Sequence, residues 1–268
     1  MSIKRIAAGL VSVMLLVSGI GCTTSTTTTT RSLTMVNSEA EKKNNRAQAL
    51  NNYVQLGIGY LTKGERSKAR FNFRKALEID ERSAPAHSGL ALLYQFEKEN
   101  ELAEQHFRKA LQYDPEHTMG RNNFAVFLYR LERYEEAHAL FTEVVADVNY
   151  PRRARAYVSL GLAAERLGRI EEAKQAWDKA ITLDSRMTKA HIELAEVYFR
   201  EGDLPRAKRH LDQHRRLTGP TARALWLAIR VERGFGNKDG EASKALALEE
   251  LFPYSQEYLE YKEWLQQI

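Results

Sequence analysis

The sequence predicts an all-α chain, folded as a solenoid of six helix pairs plus a C-terminal capping helix. Two observations carry that prediction. The first is a recurring trio in which an alanine is followed by a large side chain four residues on and a further packing residue three later. It reads Ala69-Phe73-Ala76, Ala103-Phe107-Ala110, Ala137-Phe141-Val144, Ala173-Trp177-Ala180 and Ala207-Leu211-His214, with the alanines 34, 34, 36 and 34 residues apart. The second is a companion set about sixteen residues upstream of each alanine: Tyr53-Leu56-Gly57-Tyr60, His87-Leu90-Ala91-Tyr94, Arg121-Phe124-Ala125-Leu128, Tyr157-Leu160-Gly161-Ala164 and His191-Leu194-Ala195-Tyr198. Spacings of three and four put each set on one helical face, so each unit is two helices joined by a turn. Such a unit cannot bury its apolar face alone and must stack on its neighbours.

The elements follow in order. The regular units span about 50–83, 84–117, 118–153, 154–187 and 188–221. Gly64, Gly168 and Gly202 recur between paired helices, where a left-handed residue stops the first helix. Asp80, Asp114 and Asp184 end second helices, and Pro115 follows one of them. The step into the fourth unit is two residues longer, around Asn149-Tyr150-Pro151-Arg152-Arg153, and Pro151 makes this an extended loop. In the fifth unit His214, beside Arg215-Arg216, takes the small packing position, so packing there must loosen or rearrange. Residues 222–254 read as a degenerate sixth unit, with Leu225, Trp226 and Ile229 on one helix, Leu246, Leu248 and Leu251 on the next, and 235–240 as the turn. Ser255 is placed to N-cap a final helix, 255–268, carrying Tyr258, Tyr261, Trp264 and Leu265. This period with these residue types resembles the tetratricopeptide repeat (TPR), which implies a right-handed superhelix whose first helices line a concave groove that binds peptides or proteins.

The N-terminus reads as a leader. Lys4-Arg5 precede an uncharged, mostly apolar run from Ile6 to Ile20, too short for a comfortable membrane span. Cys22, the one cysteine in the chain, cannot form an internal disulfide. Its place directly behind the run resembles a bacterial lipoprotein box, although Gly19 stands where that family favours Leu. The resemblance implies cleavage after residue 21 and lipidation of Cys22, and the absence of Asp at Thr23 resembles outer-membrane sorting. Residues 22–45 are Thr-rich and polar and read as a flexible tether, with the solenoid over 46–268. Losing Lys4 and Arg5 lowers the net charge from +5 to +3, a mild basic balance.

Sites for chemistry are sparse. His210 and His214 have helical ligand spacing, with Asp212 between them, but no third metal ligand is indicated. Gly57-Ile58-Gly59 falls within a helix rather than after a strand, so it is no phosphate loop. No nucleophile elbow is present, and no loop is long enough to hold a catalytic site. The basic clusters Arg152-Arg153-Arg155, Lys208-Arg209 and Arg215-Arg216 read as solvated faces. No enzyme activity, cofactor, metal, small-molecule substrate or nucleic-acid partner is expected.

A binding surface is easier to find. Residues offset from the packing set on the first helices are Val54, Ile58 and Leu61, then Leu92 and Phe96, Val126 and Tyr129, and Val158 and Leu162. An apolar row facing water needs a reason, and partner binding is one. The other, burial by the curvature of the stack or by the tether, stays open. The positions by which some TPR proteins clamp a terminal carboxylate hold Val54, Ile58, Ser88, Leu92 and Asn122, so the row suits an apolar helix or strand instead.

Four further segments carry a narrower resemblance: Arg121-Asn122-Asn123-Phe124, the stretch from Tyr150-Pro151 through Ala156, Ala224-Leu225-Trp226-Leu227-Ala228-Ile229-Arg230-Val231-Glu232-Arg233, and Phe252-Pro253-Tyr254-Ser255-Gln256-Glu257-Tyr258. With the leader, they resemble the pilotin family of type IV pilus biogenesis proteins, outer-membrane TPR lipoproteins. That resemblance implies a chain anchored through Cys22 on the periplasmic face of the outer membrane. It also implies binding to secretin subunits, promoting their localisation and multimer assembly. The alternative is a TPR lipoprotein serving another envelope assembly, such as peptidoglycan synthase activation or barrel-protein insertion.

Overall fold

The computed structural model describes residues 26–267, with side chains from residue 39 onward. The leader and Cys22 lie outside the described residues. Thirteen helices and no strand occur among them. The first helices of the units are α1 (Thr26–Thr62), α3 (Ala84–Phe96), α5 (Thr118–Arg130), α7 (Arg153–Arg166), α9 (Thr188–Arg200) and α11 (Ala222–Gly234). The second helices are α2 (Arg66–Ile79), α4 (Asn100–Tyr113), α6 (Tyr134–Ala146), α8 (Ile170–Leu183), α10 (Leu204–Thr218) and α12 (Lys238–Leu251), and α13 (Gln256–Leu265) closes the chain. Contacts divide the chain after Gln48. Residues 26–45, expected as a tether, lie inside α1, and side chains 39–48 are exposed. The run Glu39-Ala40-Glu41-Lys42-Lys43 and Arg46-Ala47-Gln48 is made of strong helix formers that need no burial.

From Ala49 on, the repeat alanines and rings form the interior. Ala69, Phe73, Ala103, Phe107, Ala137, Phe141, Ala173 and Trp177 are all buried. Helix approach depends on missing side chains: a Cβ at Gly57 would collide with the Phe73 ring, and one at Gly161 with Trp177. The left-handed stop recurs in all six units, at Gly64 (φ 76°), Lys98 (64°), Glu132 (61°), Gly168 (74°), Gly202 (79°) and Gly236 (71°). Lys98 and Glu132 hold this conformation without glycine, at a steric cost. Asp80, Asp114 and Asp184 cap second helices, each accepting the N–H two residues on at 3.0 Å.

The longer loop runs between α6 and α7 and is pinned from inside by buried Tyr150. His214 is buried in the small position, and the following turn passes through Gly219 (φ 75°). In the sixth unit Leu225, Trp226, Ile229 and Leu248 are core, but Leu246 and Leu251 are exposed, and α12 starts at Lys238, so the turn is shorter than expected. Ser255 caps α13 by accepting the Tyr258 N–H at 3.2 Å, and Trp226 meets Tyr261 and Trp264 edge-on. Leu265 is exposed.

Units two and five carry a duplicated histidine pair. His87 Nε2–H donates to the Glu81 carbonyl at 3.0 Å, so its Nδ1 accepts from His106 Nδ1–H at 2.9 Å. His191 likewise donates to the Ser185 carbonyl (3.2 Å) and accepts from His210 (3.1 Å). His210 is thus turned toward His191, and no metal-ligand cluster occurs among the described residues.

Candidate functional site

From α3 on, each first helix packs on its own second helix, α1 meets α2 through Gly57 and Leu61 against Phe73, and α3 approaches α5, α5 approaches α7, and α9 approaches α11. Second helices instead pack on the first helix of the next unit. The first helices therefore line the inner side of the stack. On each of them a stripe at i, i+4, i+7 and i+11 shares one face. The stripes are Asn51-Gln55-Ile58-Thr62, Pro85-Gly89-Leu92-Phe96, Met119-Asn123-Val126-Arg130 and Arg155-Ser159-Leu162-Arg166, followed by Lys189-Glu193-Glu196-Arg200 and Arg223-Leu227-Arg230-Gly234.

Six of the nine expected groove residues occupy or adjoin these stripes. Ile58 is 36% and Phe96 56% exposed, while Leu92, Val126, Tyr129 and Leu162 are half-buried. The other three are corrected. Val54 (4% exposed) packs with Ala76 and Ala86, Leu61 (9%) with Ala69, Phe73 and Leu90, and Val158 (8%) with Trp177 and Ala190. An inner helix is held by its own partner and by the next unit, so it buries an arc wider than a single packing stripe, and positions beside that stripe become core. Leu56 errs the other way. The packing pattern predicts it buried, but it is 49% exposed, because its equivalents Leu90, Phe124, Leu160 and Leu194 pack against a preceding repeat and the first repeat has none.

The inner face is recessed between α5 and α7. There Val126, Tyr129, Phe141, Ser159 and Leu162 line a cavity of about 80 Å³. Arg166 lies 5.4 Å from the Tyr134 ring, which meets Tyr129 edge-on at 5.2 Å. Burial pushes the Tyr129 phenol above its usual range, so it is a neutral hydrogen-bonding group at the cavity wall. Arg130, Arg155 and Arg166 have no ion-pair partner among the described residues. Residue-by-residue reading missed these arginines as groove residues, although their i+4 and i−7 register to Val126 and Leu162 was available.

The fifth and sixth units differ. Arg223 grips Glu193 with two 2.8 Å bonds and Glu196 at 3.1 Å, Lys189 meets Glu193 at 2.6 Å, and Arg230 meets Glu196 at 3.6 Å. Arg200 pairs with Glu165. Burial pushes the Glu193 carboxyl up, but bonds from Arg223 and Lys189 outweigh it and hold it below the carboxylate range. Arg230 also stacks over Trp226 (4.9 Å) and Phe199 (5.1 Å). A second cavity of about 30 Å³ between α10 and α11 is rimmed by charges that already pair, Lys208 with Glu232 and Arg215 with Asp212. The open apolar surface is therefore that of units one to four, where side-chain burial without bond-making chemistry is available.

Models of the tetratricopeptide repeat match residues 50–83, 84–117, 122–188 and 189–213. The type IV pilus assembly protein PilF of Pseudomonas aeruginosa is 37% identical over 217 residues, 81% of this chain and 86% of that protein. A solved structure from a functional characterisation of Pseudomonas aeruginosa PilF superimposes with a TM-score of 0.76, covering 82% of this chain and 99% of the other. The crystal structure of PilW, described as a widely conserved type IV pilus biogenesis factor, superimposes at 0.71 with 26% identity, over 80% of this chain and 98% of that one.

Proposed function

The chain belongs to the tetratricopeptide-repeat family as a homologue of the type IV pilus assembly protein PilF, and from that premise we propose that it is a pilotin. In this reading it is an outer-membrane lipoprotein, non-catalytic, whose inner face holds secretin subunits and promotes their localisation and assembly into multimers. The observation that carries the reading is the 37% identity across four-fifths of the chain, joined to an open apolar face on units one to four. Lipidation at Cys22 would supply membrane affinity, growing by about 0.8 kcal/mol per buried methylene, so several acyl chains would hold the protein firmly. A bound client would then ride the same sorting route.

The test is crosslinking in native outer membranes followed by identification of the partner. Recovery of secretin subunits supports the reading. Recovery of a peptidoglycan synthase or barrel-insertion machinery in their place replaces it with the other envelope role. Cys22→Ser tests the anchor separately: a folded, soluble protein lost from the outer-membrane fraction is expected, and unchanged outer-membrane recovery excludes lipidation at this residue.

A further inference from the structure

We propose that the partner segment held by this face is an apolar stretch flanked on both sides by Asp or Glu, seated across α5 and α7 with its carboxylates on Arg130, Arg155 and Arg166. The proposal rests on the binding role argued above and specifies its chemistry. Along α7 the stripe is a cation, a small hydroxyl, an apolar side chain and a cation: Arg155, Ser159, Leu162, Arg166. Eleven residues of helix separate the two arginines by about 16 Å, wider than the backbone of one helix or strand. The floor between them is the cavity formed by Val126, Tyr129 and Leu162. Arg130, four residues past Val126, extends the same basic rim along α5.

The charge pattern identifies the occupant because the fifth and sixth units show the satisfied version of the same geometry. Their stripe cations Lys189, Arg200, Arg223 and Arg230 all meet carboxylates of this chain, Glu193, Glu165 and Glu196. The cations at the same stripe positions of α5 and α7 form no direct ion pair among the described residues; Glu132 and Asp184 act on Arg166 and Arg155 only at longer range, and Arg166 rests on tyrosine. A partner that supplied apolar side chains alone would leave three arginines facing it uncompensated, and a basic partner would be repelled. An acid-flanked apolar segment satisfies both the floor and the rims, with the rim charges setting specificity and encounter rate.

The test uses the full chain and two short synthetic peptides sharing one amphipathic apolar core, one flanked by Glu and the other by Lys. Fluorescence anisotropy is expected to show the Glu-flanked peptide bound roughly tenfold tighter, with the preference fading as salt is raised. The exposed triple variant R130E/R155E/R166E, with unchanged circular dichroism, should invert the preference, and Leu162→Ser should weaken both peptides while keeping it. Equal affinities, a preference for Lys flanks, or a preference that survives the triple reversal overturns the proposal. So does loss of binding to phosphatidylglycerol vesicles on reversal with peptide selectivity unchanged, since the rims would then serve a membrane. Secretin co-purifying equally with wild type and triple variant overturns the proposal while the pilotin reading stands. Secretin absent from both, with the peptide preference intact, overturns the pilotin reading and leaves the surface chemistry standing.

Discussion

At the centre of the inner stripe α1, α3, α5 and α7 carry Ile58, Leu92, Val126 and Leu162, whereas α9 and α11 carry Glu196 and Arg230, paired at 3.6 Å. The position before it on the stripe repeats the contrast: Ser159 in the fourth unit is half-buried with no charge to satisfy, and Glu193 in the fifth is buried under Arg223 and Lys189. The helix-pair plan is common to both parts, and the side chains at these stripe positions differ. The stripe of α9 and α11 is taken up by ion pairs within this chain, and that of α1, α3, α5 and α7 is not. The repeat therefore specifies the scaffold, and binding capacity is written at stripe positions that the scaffold leaves free.

The largest expected effect separates core from stripe within the open half. Leu61→Glu buries a charge among Ala69, Phe73 and Leu90 and should cost more than about 4 kcal/mol, enough to unfold the first unit. Ile58→Glu, three residues away, should stay within about 1 kcal/mol of wild type in chemical denaturation while losing partner capture. Equal destabilisation by the two would make the stripe core and erase the contrast between halves. Next, Glu193→Ala should cost roughly 1–2 kcal/mol, since it removes two of the three carboxylate bonds of Arg223 and the partner of Lys189 while Glu196 still holds Arg223, whereas Ser159→Ala should cost under about 0.5 kcal/mol. Similar losses from the two would show that the ion-pair network is not what closes the fifth and sixth units.

The histidine pairs give an internal control, one in each half. Burial, then repulsion from the paired ring, pushes His106 and His210 down to about 4, and burial also lowers His87 and His191. Lys109 beside the first pair and Arg206 and Arg209 beside the second act in the same direction. Because these rings bind protons less readily folded than unfolded, stability is intact above the ordinary histidine value of 6.5 and falls progressively as the pH drops toward 4. Thermal melts should show this loss, roughly 2 kcal/mol per pair after allowing for partial solvation, and His106→Gln and His210→Gln should each remove about half of it. A loss confined to one variant would mean that the halves differ in packing as well as in stripe charge. The smallest effect is backbone strain. Lys98→Gly and Glu132→Gly, both in the open half at left-handed φ, should each stabilise by up to about 1 kcal/mol, and a loss on either change would show that these side chains make contacts worth more than the strain.

The sequence by itself determined the repeat, the helix count, the alanine-and-ring interior and the cap at Ser255. These depend on local spacing and on the small residues that let helices touch, which a 34-residue period displays directly. Only the tertiary structure decided which side chains beside the packing stripe are covered. Val54, Leu61 and Val158 were legible as apolar but not as core, because the neighbouring unit that buries them enters through stacking rather than through their own helix. Leu56 was legible as a packing residue but lacks the preceding repeat that covers its equivalents. The arginines at 130, 155 and 166 looked like any solvated charges until the ion pairs of the other half showed what the same positions do when satisfied. A charge acquires a role from the groups it meets across the stack, and those partners lie about thirty residues away in sequence, where no local pattern records them.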